Sequence, residues 1–284
     1  MLRDWFISLR PQQWIKNLFV FAALIFAEKF TDWPSVERSL VAFVVFCFAA
    51  SGVYLINDVV DIEKDRLHPI KKQRPLAAGK IGRSAAPWIG CGLMIISLLA
   101  AWSVNERLAT IIFLYLVLNL AYSFYLKRVE IVDVLCVAMG FVLRVIGGAV
   151  AIQVIFSDWL LLCTFFLTLF LAISKRRNEL VNLGVTEQRV VLGKYSLRLL
   201  EQMNAVVLPA TLISYALYTL NSVRSRWLIL TVPVVLFGLL RYLLILDQKK
   251  IDDDGPTGDL LKDRPLQFVL LLWIFLVVII LVEF

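Results

Sequence analysis

Across 284 residues the chain is 60% hydrophobic and 18% charged, with a mean hydropathy of +0.81. Soluble domains are about 45–50% apolar, and a single core could not hide the surplus, so an ordinary soluble domain is excluded and lipid is the natural solvent. The formal charge of +7 would suit nucleic acid, anionic lipid or an anionic substrate, and the placement of the charges decides among them.

The N-terminal stretch carries Arg3, Asp4, Arg10 and Lys16 without a small-residue cleavage pattern, so a removed signal peptide is not expected. Crossing a bilayer takes about 20 apolar residues. Nine stretches qualify: 17–33, 38–56, 85–104, 108–126, 131–154, 158–174, 202–220, 226–246 and 265–283. The first is the weakest, being broken by Glu28 and Lys29. No strand-like alternation recurs, so the expected fold is all-α: a polytopic membrane helix bundle of nine transmembrane helices, one domain over 1–284.

The loops alternate in charge. The N-terminus, loop 57–84, Lys127–Arg128, loop 175–201 and the pairs Lys249–Lys250 and Lys262/Arg264 are basic. The opposite set holds Lys29, Arg38, Arg107, Arg224 and Arg226. The positive-inside rule then puts the N-terminus and loops 57–84 and 175–201 in the cytoplasm and the C-terminus outside. Topology accounts for most of the basic residues, and nucleic acid is not needed as a partner. Trp14, Trp33, Trp88, Trp102, Trp159, Trp227 and Trp273 fall mostly near span ends, as interfacial anchors do. Cys47, Cys91, Cys136 and Cys163 are scattered through apolar runs and read as packed side chains. His68 is the only histidine, which excludes a His-rich metal site. The acidic stretch of 247–264, with Asp252–Asp254, reads as a solvated loop.

Asn57, Asp61 and Asp65 follow the second span at i, i+4 and i+8. On a continuing helix they stack along one face, drifting about 40° per step. Oxygen donors in such a row suit a hard cation such as Mg²⁺, which takes carboxylates, water and phosphate oxygens. Acidic residues at the mouth of a membrane bundle are costly unless used. Asp58 and Glu63 flank the row. The basic stretch beyond it, with Arg66, Lys71, Lys72 and Arg74, suits a polyphosphate that needs metal and guanidinium partners together. Arg74-Pro75 sets a rigid turn there.

Four further groups are expected to line the same pocket. Lys175-Arg176-Arg177 with Glu179 ends the sixth span, where a phosphate site and a topology signal compete as readings. Arg144, near the middle of the fifth span, should face a polar cavity, with Gly140 and Gly147 on its side of the helix and Asp133 as a candidate partner. Asn119, Tyr122 and Lys127 mark the cytoplasmic end of the fourth span. Lys16 and Asn17 enter the first at the same level.

These residues resemble the UbiA superfamily of intramembrane prenyltransferases, and the likeness runs over essentially the whole chain. Asn57, Asp61 and Asp65 match its Asn-x-x-x-Asp-x-x-x-Asp motif after helix 2, and Arg74-Pro75-Leu76-Ala77-Ala78-Gly79 matches the turn that follows. Two departures matter. Prenyl-diphosphate users carry Asp-Arg-x-x-Asp-Arg-Thr after the first motif, where this chain has Asp65-Arg66-Leu67-His68-Pro69-Ile70-Lys71. They also carry a second Asp-x-x-x-Asp after helix 6, where this chain has Lys175-Arg176-Arg177-Asn178-Glu179-Leu180. A cationic second site suits an extra phosphate better than a second metal. That pattern is similar to the decaprenyl-phosphate phosphoribosyltransferase branch. Arg10-Pro11, Gln13-Trp14, Lys16-Asn17, Gly140-Phe141, Arg144 and Tyr195-Ser196 carry the likeness too.

The resemblance implies transfer of 5-phosphoribose from phosphoribosyl diphosphate (PRPP) to a polyprenyl phosphate in the lipid bilayer of a bacterial cell membrane, with a product that feeds decaprenyl-phosphoryl arabinose synthesis. Mg²⁺ on Asn57, Asp61 and Asp65 would hold the leaving pyrophosphate, and Asp58 would favour an oxocarbenium-like ring. Lys71, Arg74, Lys175, Arg176 and Arg177 are candidates for the donor phosphates, and Lys16, Lys127 and Arg144 for the acceptor phosphate. Which cation takes which phosphate stays open, as does assembly into a homo-oligomer. An aromatic prenyltransferase of the same superfamily is the nearest rival, disfavoured by the missing second Asp motif. A transporter is the reading from another class; no inverted repeat supports it.

Overall fold

Uninterrupted apolar sequence becomes long helix throughout the computed structural model, which describes residues 2–67, 70–183, 190–221, 226–248 and 255–283. Among the described residues, eight helices are long and apolar enough to cross a membrane: Trp33–Val60, Ala85–Val104, Glu106–Phe124, Val132–Ala151, Asp158–Val181, Leu197–Leu220, Arg226–Gln248 and Arg264–Glu283. The described residues include no strand. The protein is an all-α integral membrane protein.

The expected first span, 17–33, is where the bundle departs from the sequence reading. Its residues belong to a 3-10 helix over Pro11–Phe21 and the short α2 (Ala22–Phe26), which follow α1 (Leu2–Ser8). Glu28, with φ 56°, ends the run. The polar Glu28–Lys29 step stops the helix, and Arg10, in left-handed backbone at φ 54° just before Pro11, starts it.

The chain forms two compact units, one of 1–24 with 29–155 and one of 25–28 with 156–284. The first holds α3 (Trp33–Val60), α4 (Ile62–Leu67), α5 (Ala85–Val104), α6 (Glu106–Phe124) and α7 (Val132–Ala151). Asp32 opens α3, its carboxylate accepting from the Ser35 amide at 3.2 Å, with proline in the first turn; both are standard N-terminal devices. Asn105 ends α5 and caps α6, accepting from the Leu108 amide at 2.7 Å. Its amide also reaches the Val150 carbonyl at 3.2 Å, pinning this corner to the end of α7.

Val20, Phe46, Leu108, Ile112, Tyr115 and Leu143 lie in the core of this unit, with the Phe46 and Tyr115 rings edge to face at 5.3 Å. Two glycines let α7 pack closely, Gly148 against the 3-10 segment and Gly147 against Phe46 of α3. A Cβ on Gly148 would stand 1.9 Å from the Val20 carbonyl oxygen, and one on Gly147 would stand 2.6 Å from the Phe46 ring. Small residues of this kind permit close backbone approach between membrane helices. The contact carries Asn17 to Arg144.

The second unit holds α8 (Asp158–Leu183), α9 (Leu197–Leu220), α10 (Val232–Gln248), α11 (Gly255–Lys262) and α12 (Arg264–Glu283). Ser196 caps α9 through the Leu199 amide at 3.1 Å. Trp33, Trp88, Trp102 and Trp227 are exposed as interfacial anchors should be. Trp14 and Trp273 are instead tied inside, donating to Ser51 Oγ at 3.0 Å and Tyr215 Oη at 2.8 Å.

Candidate active site

The row Asn57, Asp61, Asp65 survives the end of a helix. α3 stops at Val60, and Asp61 caps it at φ −97° and ψ 8° before α4 begins. The i to i−4 bonding nevertheless passes through the corner, Asp61 N–H to the Asn57 carbonyl at 2.9 Å and Asp65 N–H to the Asp61 carbonyl at 2.8 Å. The expected register is therefore kept across a small bend. Ile62, Leu76, Ile81 and Ala86, with Trp5 and Val59 against them, form an apolar pad that fixes the surrounding loop.

Every carboxylate of the row is met by a cation from elsewhere in the same unit. Lys127, in the 3-10 turn Leu126–Arg128 after α6, places its ammonium 2.7 Å from both oxygens of Asp61 and 3.4 Å from Asn57 Oδ1. Arg74 reaches Asp65 at 2.5 Å and Asp58 at 3.2 Å. Arg10 also bonds Asp58 and lies 4.9 Å above the Tyr54 ring, a further attraction for a guanidinium. Asp58, with 4% of its side chain exposed, is thus the junction between the N-terminal segment and the Arg74-Pro75 turn. That turn closes through Ala78 N–H to the Arg74 carbonyl at 2.8 Å and ends at Gly79, whose φ is +71°. Arg66 lies at the rim, 3.4 Å from Glu63 and from the Ala77 carbonyl; Lys71 opens the turn Lys71–Gln73.

Deeper in the unit, Arg144 is buried and donates to Asn17 Oδ1, the Gly140 carbonyl and Tyr115 Oη at 2.7, 2.7 and 2.8 Å. Its guanidinium also faces the Tyr115 and Phe141 rings at 4.8 and 5.0 Å. These partners are neutral groups. Asn17 is spent at both ends, its amide donating to Cys47 Sγ at 3.2 Å. Lys16 lies within electrostatic reach of Arg144 and Arg10; burial first, and then those two cations, bring its ammonium down to about 8. Asn119 donates to the Tyr115 carbonyl at 2.8 Å within α6, and Tyr122 follows three residues on, half-buried.

In the second unit the expected basic cluster continues α8 beyond its apolar stretch. Arg176 is buried and bonds Glu179 at 2.9 Å, and Lys175 stands 4.0 Å from the same carboxylate. Arg177 bonds Glu201 of α9 at 3.1 Å and the Leu246 carbonyl of α10 at 3.4 Å. Tyr195 is buried just ahead of α9. His68, Pro69, Arg189, Lys249, Lys250 and Asp252–Asp254 lie outside the described residues.

Tyr115 and Glu201 were not among the expected site residues, and Arg10 was read only as part of the stretch that enters the first span with Lys16 and Asn17. Arg10 repeats the arginine–proline pairing of Arg74-Pro75, and Tyr115 stands two helical turns before Tyr122, on the same face; both are signals the sequence contains. Glu201 carries none. Within the 247–264 stretch, Asp259 is buried, whereas the expectation was a solvated loop.

A lipid-embedded helical bundle whose acid row is matched by arginine and lysine defines a membrane transferase of phosphorylated substrates as the class to compare. The chain belongs to the UbiA prenyltransferase family, whose sequence model matches residues 17–261. It is 36% identical to the decaprenyl-phosphate phosphoribosyltransferase of Mycolicibacterium smegmatis, over 94% of this chain and 89% of that one. The enzyme of the same name from Corynebacterium glutamicum is 33% identical, over 95% and 84%. Among solved structures, a UbiA homolog from Archaeoglobus fulgidus bound to DMAPP and Mg²⁺ superposes with a TM-score of 0.78, at 19% identity, covering 99% of this chain and all of that one.

Proposed function

We propose that the chain transfers 5-phosphoribose from PRPP to a polyprenyl phosphate of decaprenyl type, releasing pyrophosphate, at the cytoplasmic face of a bacterial cell membrane. The observation that carries this reading is the identity to decaprenyl-phosphate phosphoribosyltransferases along nearly the full length of both chains. The basic run Lys175-Arg176-Arg177 supports it, standing where prenyl-diphosphate users resemble one another in a second Asp pair.

The oxygen chemistry of the row suits a hard divalent cation, and Asn57 and Asp61 converge oxygen atoms on one ammonium, while Asp65 is held by Arg74 and no three His, Cys, Asp or Glu side chains are gathered as a metal cluster among the described residues. When bound by Asn57, Asp61 and Asp65, a cation such as Mg²⁺ would neutralise the leaving pyrophosphate. In the reaction the C1–oxygen bond to pyrophosphate breaks, and a lipid phosphate oxygen forms the new bond to C1. The acceptor is already anionic near neutral pH, so no side chain needs to remove a proton. That agrees with a chain that has one histidine, His68.

The protein's own groups supply charge and position. Arg74, fixed by Pro75 and by two carboxylates, presents a guanidinium beside the acid row for a phosphate oxygen. Arg66 and Lys71 extend that basic edge. Lys16, Lys127 and Arg144 take the acceptor phosphate, Arg144 being held in place by Asn17, Gly140 and Tyr115. Asn119 and Tyr122 line the same end of α6. Lys175, Arg176 and Arg177 take a donor phosphate, Glu179 holding Lys175 and Arg176, with Tyr195 as a further substrate-binding candidate. Asp58 acts chiefly through Arg10 and Arg74, and its negative charge also favours an oxocarbenium-like ring.

Purified Asp61→Asn and Asp65→Asn proteins test the site. With labelled PRPP, polyprenyl phosphate and Mg²⁺, each is expected to lose turnover while eluting as the wild type does in size-exclusion chromatography. Full Mg²⁺-dependent turnover by both would refute the assignment.

A further inference from the structure

Three carboxylates, Asp58, Asp61 and Asp65, meet three organic cations, Arg10, Arg74 and Lys127. Lys127 differs from the two arginines in its geometry. It comes from the turn after α6, binds both oxygens of one carboxylate, and touches Asn57 as well. Arg74 is fixed by a proline turn and shared between two acids, and Arg10 is fixed by Asp58 and Tyr54. A flexible four-carbon stem carrying a compact charge leaves and re-forms such a contact more readily than a planar, doubly engaged guanidinium.

We propose that Lys127 is an exchangeable internal counter-ion. In the metal-free protein it occupies the Asn57–Asp61 end of the row, and loading of a divalent cation displaces its ammonium, which is then free to bind a phosphate. This rests on the metal reading of the row and extends it. Two physical consequences follow. Metal alone must compete with an ammonium already 2.7 Å from both Asp61 oxygens, so binding of metal without substrate is weakened. The displaced lysine then ties metal loading to phosphate binding, and such coupling between ligands is reciprocal. Lys127 is thereby a positioning residue before the metal arrives and a substrate-binding one after it.

The test is Mn²⁺ binding to the full-length protein in detergent, without substrate, followed by isothermal titration. Lys127→Met and the more conservative Lys127→Gln are compared with wild type and with Asp61→Asn. Removing the competing ammonium should tighten Mn²⁺ binding about tenfold, within the usual range for coupled ligands. The gain in melting temperature on adding Mn²⁺ should grow in step, since a tighter ligand stabilises the folded state more. Asp61→Asn should lose binding in either background. If both lysine variants bind Mn²⁺ no better than wild type while Asp61→Asn loses it, the counter-ion role is wrong and the metal site stands. If Asp61→Asn binds as wild type does, the metal reading fails and the counter-ion role with it. Should Lys127→Met elute as aggregate, Lys127→Gln alone decides.

Discussion

Lys16 carries its charge under unfavourable conditions, half-buried and within reach of Arg144 and Arg10, and desolvation with those two cations lowers its ammonium to about 8. The sign is plain: the group is cationic below that pH and loses its charge as pH rises through it. If Lys16 helps to hold the acceptor phosphate, kcat/KM for polyprenyl phosphate should fall above about pH 8, because that ratio reports ionisations of the free enzyme. Lys16→Arg should carry the alkaline limb to higher pH, and Lys16→Met should remove it at reduced activity; a limb unmoved in Lys16→Arg would assign it elsewhere. Asp58 supports a different prediction. It is the most buried acid of the site and serves two arginines, and removing one member of a buried ion pair costs about 3–5 kcal/mol. Asp58→Asn should therefore lower the melting temperature well below that of Asp61→Asn, whose carboxylate is 20% exposed and pairs with Lys127. Equal midpoints would show that the junction adds no stability. At this scale the sequence is legible in part. The i, i+4, i+8 spacing announces the acid row. The pairing of Asp61 with Lys127, 66 residues away in the chain, depends on how α3 and α6 pack and leaves no local mark.

At the scale of elements, the site depends on backbones that nearly touch. The 3-10 segment Pro11–Phe21 delivers Lys16 and Asn17, and it lies against α7 because Gly148 has no side chain. Gly148→Ala should push that segment away, loosen Asn17 from Arg144, and lower both melting temperature and turnover. Gly92→Ala, on α5 with open space at its Cβ position, serves as the neutral control. A Gly148→Ala protein with wild-type activity and stability would rule out this route of placement. The seven long apolar runs after the second span could be read directly, since lipid demands continuous helix. The first could not be read as it stands: helix runs from Pro11 to Phe26 as a 3-10 segment followed by a short α-helix, and the Glu28–Lys29 step ends it before Trp33. Nor is the end of α8 local in origin. Its basic residues continue the helix beyond the apolar stretch, and Arg177 bonds Glu201 of α9 and the Leu246 carbonyl of α10.

For the whole molecule, eight long apolar helices and a family match over residues 17–261 make a membrane-embedded transferase. The basic loops predict the direction of the chain across the bilayer: a cysteine accessibility scan should label Ser84→Cys from the cytoplasmic side and Asn221→Cys from the other. What the protein transfers is the central claim. Its most direct measurement supplies purified protein and Mg²⁺ with two mixtures: labelled PRPP with polyprenyl phosphate, and a labelled prenyl diphosphate with 4-hydroxybenzoate. Labelled lipid-linked phosphoribose from the first mixture and no product from the second is the predicted result. Product from the second mixture alone would contradict the account and make the chain an aromatic prenyltransferase.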